Sequence, residues 1–268
     1  MIQVILFVLT FLTTFMVGEA MSSHSGLVYA VPLMLILGCH EGGHYIMCRI
    51  YGVKSTPPNF IPAPFGPFGT FGAVIMMKDN LPSRRALFDI GIAGPLAGFA
   101  VALPCVIVGL YLSELVPPQE VGEQYMQLGE PLLFKIVSHA MYGEINGKEL
   151  MLHPVGYAGW IGLLVTALNL FPAGQLDGGH IAYAVFGPRV SWFFWPLIAG
   201  LVGMSLYFWS FAYLLFLVLL VILARHHPPP SDDVTPLDLY RKGLAVVPLI
   251  VLVLCFTPVP IRLAGASG

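Results

Sequence analysis

Of 268 residues, 57% are hydrophobic and 10% charged, the formal net charge is -2, and the mean hydropathy is +0.83. Soluble domains are roughly half apolar and a quarter charged, so this composition excludes an ordinary soluble domain. The absence of any basic, aromatic stretch excludes nucleic acid as a partner. What remains is an all-α polytopic membrane protein of about six to seven transmembrane helices, read as a single membrane-embedded domain over residues 1–268.

A membrane span needs about 20 mainly apolar residues, and such segments lie near 1–18, 26–49, 86–112, 155–172, 190–206, 208–224 and 243–260. The first has an alternative reading as a cleaved signal peptide, since Gly18-Glu19-Ala20 fits a small-x-small site, although no positive n-region precedes it. The uncharged run Val190 to Ala224 is divided near Ser205 to Ser210 on length alone. Arg49, Lys54, Lys78, Arg84, Arg85, Arg189, Arg225, Arg241 and Lys242 fall on one side of this arrangement. By the positive-inside rule that side is the cytoplasm. The segment Ser113 to Pro154 carries Glu114, Glu120, Glu123, Glu130, Glu144 and Glu149 against Lys135 and Lys148, and reads as the outside loop. Residues 225–242 read as a cytoplasmic linker before the last helix. The four cysteines, Cys39, Cys48, Cys105 and Cys255, fall in or beside spans and are expected to serve apolar packing.

The second apolar segment contains His40-Glu41-Gly42-Gly43-His44. Side chains four apart share a helix face, so both histidines can bind one divalent metal while Glu41 reaches its water, the pattern of a zinc-dependent protease. Ionisable groups inside a span cost about 2.5–3.5 kcal/mol each at mid-depth on insertion scales. Three in one turn therefore call for a functional reason. Gly42 and Gly43 weaken the helix but allow another backbone to come close.

From Thr56 to Met77 the chain is too rich in Pro and Gly for a helix and too apolar for an ordinary loop, which predicts a re-entrant or interfacial β-hairpin-like segment. The pattern Gly94-x-x-x-Gly98 suits close helix packing. Two histidines leave a tetrahedral zinc short of its usual three protein ligands. Asp177, the only carboxylate between Glu149 and Asp232, is the best candidate for the third. Pro172 and Gly174 break the helix just before it, and backbone freed at membrane depth is tolerated where it is buried in protein or lines a watery cavity. His180, three residues on, is read as a satisfied interfacial histidine, with orientation of the site or oxyanion stabilisation as the alternative.

Together these two segments resemble the site-2 protease family of intramembrane zinc metalloproteases. That family pairs His-Glu-x-x-His in one span with Asn-x-x-Pro-x-x-x-Leu-Asp-Gly in a later one, matched here by Asn169, Pro172, Leu176, Asp177 and Gly178. The resemblance covers about residues 26–190, which would form the catalytic core. It implies Zn2+ held by His40, His44 and Asp177, Glu41 as catalytic base, and Asn169 with Phe71, Gly72, Ala73 and Val74 binding substrate, the last four by strand addition. The expected partners are a transmembrane protein or peptide substrate and the lipid bilayer; the oligomeric state is left open. The family's Gly-Pro-x-x-Asn element departs here to Gly94-Pro95-Leu96-Ala97-Gly98. The outside loop and the short tail are expected to leave no room for the PDZ or CBS domains of many relatives. The resemblance places the chain as a multi-pass protein of a bacterial or archaeal cell membrane, or of an organelle, with its site toward the cytoplasmic half. Two rival readings are a divalent-metal transporter with His, Asp and Glu along an ion path, and a non-catalytic homologue that binds clients.

Overall fold

The computed structural model describes residues 1–21, 24–117, 125–144, 147–208 and 229–264. Helix α1 (Ile2–Met21) turns back into α2 (Leu27–Ile50). The turn is tight because it is built on glycine: a Cβ on Gly26 would sit 2.2 Å from the Phe15 carbonyl oxygen. The Glu19 carboxylate closes it by accepting the Gly26 N–H at 2.6 Å.

The predicted hairpin is present as β1 (Asn59–Pro62) paired antiparallel with β2 (Thr70–Val74), with Asn59 opposite Val74 and Phe60 opposite Ala73. Its base is near the start of α1, where the Phe7 and Phe60 rings meet edge to face at 5.2 Å. Its tip is deep: Thr13 donates its hydroxyl to the Gly69 carbonyl at 2.6 Å, and Tyr29 donates to Phe68 at 2.8 Å. At 1.5 Å per residue Thr13 lies about 17 Å along α1. The hairpin therefore re-enters alongside the helices and does not lie across their ends.

The longest helix, α3 (Arg84–Tyr111, 28 residues), is the hub, packing on α2, α5 (Pro154–Asn169) and α6 (Asp177–Phe186). Ser83 caps its start by accepting the Ala86 N–H. Small residues let α3 and α5 touch backbone to backbone, since a Cβ on Gly109 would fall 2.0 Å from Gly156 Cα. In a span this close approach substitutes dispersion contacts for the missing hydrophobic drive. The core around them holds Tyr29, Leu33, Ile36, Phe88, Val106, Leu110, Trp160 and Leu163.

The segment read as an outside loop holds regular secondary structure where it is described. It carries β3 (Glu114–Val116), β4 (Tyr125–Leu128), α4 (Leu132–Tyr142) and β5 (Glu149–Met151), with β3 paired to β5 and β4 to β6 (Ile261–Ala264). Among the described residues the fold is mainly helical, as expected, and carries two small two-stranded sheets besides the expected hairpin. Extended pairing there gives the acidic segment backbone partners that a bare loop would lack.

Beyond a 3-10 turn at Gly187–Val190 come α7 (Ser191–Phe208), α8 (Leu239–Leu244) and α9 (Val246–Cys255). The expected span at 208–224 lies outside the described residues. Among the described residues two helices, α1 and α3, are long and apolar enough to cross a membrane. Helix α2 has 24 residues, longer than α1, but His40, Glu41 and His44 lower its hydropathy; α5 has 16 residues and α9 has 10.

The expected linker is strapped down where it is described. Ser231 and Asp232 donate backbone N–H groups to Leu81 and Pro82. Asp233 binds Arg84 at 2.8 Å and accepts the Tyr183 hydroxyl at 3.0 Å. Arg241 forks onto Asp89, at 2.8 Å through Nε and 2.6 Å through Nη2, and also reaches Asp238. A bidentate, partly buried pair of this kind is stronger than a surface salt bridge. Arg241→Gln is expected to cost about 1–3 kcal/mol, measured as a lower thermal midpoint of the purified protein in detergent.

Candidate active site

The α2 register puts His40 and His44 one turn apart on its buried side, toward α3 and α6. Asp177 arrives from the opposite direction. Helix α5 ends at Asn169, seven irregular residues follow, with Gly174 at φ +54°, and α6 opens on Asp177. Gly178 and Gly179 permit this sharp re-entry, because a Cβ on either would fall 2.0–2.4 Å from the carbonyl oxygens of Leu170 and Gly174.

Three atoms converge. Asp177 Oδ2 lies 3.3 Å from His40 Nε2 and 3.2 Å from His44 Nε2, and the two Nε2 atoms are 3.2 Å apart. His44 Nδ1–H donates to the Ile90 carbonyl at 2.7 Å, which leaves Nε2 as the lone-pair atom facing the site. A tetrahedral zinc bonded at about 2.0–2.1 Å separates neighbouring ligand atoms by about 3.3 Å. The three atoms match that spacing, and lone pairs aimed at one another are reconciled by a cation between them. The group can therefore hold a metal ion.

Glu41 is beside this group without belonging to it. Its Oε1 is 4.0 Å from His40 Nε2, its side chain is 8% exposed, and the Ile75 backbone N–H faces its carboxylate. Asn169 Nδ2 lies 3.2 Å from His40 Nε2. All these residues line a cavity of about 620 Å³ whose other walls include Phe71, Gly72, Ala73, Val74, Gln175 and His180. The structure thus gathers every site residue expected from the sequence around one space, and adds Gln175.

Helix α3 contributes more to the site than the close packing expected of Gly94-x-x-x-Gly98. Gly91, Gly94 and Gly98 recur at helical spacing on the face toward the site. A Cβ on Gly94 would lie 2.0 Å from His44 Nε2, one on Gly98 would lie 3.1 Å from His40 Cβ, and one on Gly91 would lie 3.2 Å from His180 Cβ. These glycines are the floor on which the rings rest, beyond their part in helix packing. Gly43 meets the Ala93 carbonyl as expected, at 2.5 Å from a built Cβ, whereas Gly42 faces nothing within 4 Å. The spacing of the three α3 glycines was the available signal.

A family model described as Peptidase family M50 matches residues 28–192. The chain belongs to peptidase family M50, the site-2 protease family. Among curated relatives, this M50 chain is 30% identical to the probable chloroplastic zinc metalloprotease EGY2 of Arabidopsis thaliana, over 90% of its own length and 43% of the relative's. It is 32% identical to the probable chloroplastic zinc metalloprotease EGY1 of the same plant, over 91% and 45%, and 32% identical to EGY1 of Oryza sativa, over 91% and 42%. The M50 chain thus spans less than half the length of these relatives. A solved structure titled Site-2 Protease from Methanocaldococcus jannaschii aligns at TM-score 0.42 and 18% identity, over 86% of this chain and 93% of that one.

Proposed function

We propose that this chain is a zinc metalloendopeptidase that hydrolyses peptide bonds within or near the transmembrane segments of membrane-anchored proteins. The observation that carries the reading is the convergence of His40, His44 and Asp177 at 3.2–3.3 Å, with Glu41 beside them, in one cavity edged by β2. His40 and His44 through Nε2 and Asp177 through Oδ2 would hold zinc, which supplies Lewis-acid activation of water and of the scissile carbonyl.

The chain's own residues perform the remaining steps. Glu41 Oε1 takes a proton from the attacking water and returns it to the leaving amide nitrogen. Helical substrate hides its carbonyls in i to i−4 bonds and must unwind before attack. The hairpin offers an extended template, with Phe71, Gly72, Ala73 and Val74 along one side of the cavity, and Asn169 faces the same space from another wall. Leu37, Ile90, Val165 and Leu168 keep the rest of the cavity apolar, which favours a membrane segment over a soluble peptide.

In this reading the chain crosses the membrane six to seven times, residues 26–190 are the catalytic core, and 225–242 is the cytoplasmic strap. The site lies toward the cytoplasmic half, because His44 hangs on Ile90, just inside the charged start of α3 with Arg84, Arg85 and Asp89. A metal transporter would need further ligands along a path; among the described residues the three-residue group is the one cluster of that kind.

The reading is tested in sealed vesicles holding the purified chain, a tagged single-span substrate and a trapped zinc dye. Cleavage inside the span, lost on treatment with phenanthroline and regained with zinc, with no zinc entering the vesicles, is the expected result. Zinc-loaded protein that leaves a panel of helix-weakened spans intact would sink the proposal, and zinc uptake without cleavage would support transport.

A further inference from the structure

We infer that α4 is an interfacial helix that rests one face on the phospholipid boundary of the membrane, on the side opposite the candidate active site. On the membrane-spanning arrangement proposed above, the length of α3 sets the level. From Ile90 to Tyr111 helix α3 carries no charge, and these 22 residues span about 33 Å, close to the roughly 30 Å hydrocarbon thickness. Tyr111 is 77% exposed and stands where an aromatic belt residue belongs. Helix α4 is pinned at this level, because Tyr142 donates its hydroxyl to the carbonyls of Leu110 and Ser113.

At about 100° per residue, seven of the eleven residues of α4 define three faces. Phe134 and Ser138 are buried, the former in the core that α3 and α9 share. Lys135 and His139 share an exposed polar strip. Leu132, Ile136 and Ala140 form an exposed apolar strip, with Leu132 44% and Ile136 52% open. Single exposed apolar residues are common on helices in water, but Leu132 and Ile136 share one strip at the level of the exposed apolar end of α3. At the membrane boundary the same pattern is the expected one: apolar side chains enter the acyl region and the lysine reaches anionic headgroups.

Continuity supports lipid as the occupant in preference to a protein. Ile107, Val108, Tyr111 and Leu112 at the end of α3 are all at least 40% exposed and, on a spanning helix, face lipid. The apolar strip of α4 extends this belt around the boundary, and Met151 of β5, paired with Glu114 just beyond α3, is 61% exposed. The acidic segment read as a loop thus has a foot in the bilayer.

Nitroxide labels introduced by Leu132→Cys, Lys135→Cys, Ile136→Cys and His139→Cys, in a full-length background with the four natural cysteines changed to Ala, test the inference. The vesicles are phosphatidylcholine with phosphatidylglycerol. The ratio of oxygen to nickel-chelate accessibility should be several-fold higher at 132 and 136 than at 135 and 139. Equal, water-like ratios at all four positions would overturn the inference, and so would exclusion of both reagents at 132 and 136, which would mean that protein covers the face. Should the background fail to fold, the unaltered chain in the same vesicles with a carbene-generating acyl chain gives the second reading. Labelling recovered on the peptide containing residues 132–141 supports the inference. Labelling of α1 and α3 peptides with none on α4 refutes it.

Discussion

Glu41→Gln lowers the rate of substrate cleavage by about 10²–10⁴-fold, the range for loss of a positioned general base, and leaves bound zinc at the level of the unaltered protein. The two halves of this result come from one piece of geometry. Glu41 is 4.0 Å from the nearest ligand atom, whereas the three converging atoms are 3.2–3.3 Å from one another, so glutamine removes the proton acceptor and keeps the metal-binding group. Glutamine also preserves the volume in a spot where the side chain is 8% exposed. Zinc content by atomic absorption and cleavage by gel mobility are read on the same preparation. Normal cleavage would remove Glu41 from the mechanism, and lost zinc would make it a ligand.

Gly94→Ala strips most of the zinc from the protein although it adds a single methyl group and touches no ligand by sequence. Its Cβ would fall 2.0 Å from His44 Nε2 and 2.4 Å from two ring carbons. Either the imidazole swings away or α3 retreats from α2, and each outcome separates His44 from Asp177. Disturbing the support of a metal ligand commonly costs about 10–100-fold in metal affinity, and here the ligand itself must move, so the loss should reach or exceed the upper end. The control is inside the motif. Gly42→Ala lies between the two histidines, yet its Cβ has nothing within 4 Å, and alanine favours helix by about 1 kcal/mol over glycine. Zinc content and cleavage for Gly42→Ala should match the unaltered chain. If Gly94→Ala keeps full zinc, the floor described for His44 is not a constraint.

These contrasting glycines mark what the sequence makes legible. Two histidines at i and i+4 on an apolar helix are a local fact, since the helix alone fixes their common face. Asp177 was legible by another route, as the lone carboxylate after a Pro and Gly break. The re-entrant hairpin was foreseeable because Pro57, Pro58, Gly66 and Gly69 forbid a helix while Phe60, Phe68 and Phe71 forbid a hydrated loop. The seat of His44 depends on which turn of α3 faces which turn of α2, a register that no spacing within one segment encodes. The same is true of the strap, where Asp89 and Arg241 read as scattered charges until tertiary structure unites them. Helix α4 was hidden for a different reason: judged by its flanking glutamates, the segment looked hydrated throughout, and the three sectors of a short helix are easily lost in such an average.

The strap also has a consequence for the order in which this protein is made. Asp89 and Arg241 are 152 residues apart and Arg84 and Asp233 are 149 apart, while the amide of Asn169 meets His40 across 129. Contacts of such range form late, since a long loop must close before they repay its entropy. In order of synthesis the histidine helix comes well before Asp177, the third member of the candidate metal group, and the arginine that fastens α3 follows later still. During synthesis the histidine helix is therefore present before either of the segments that meet it.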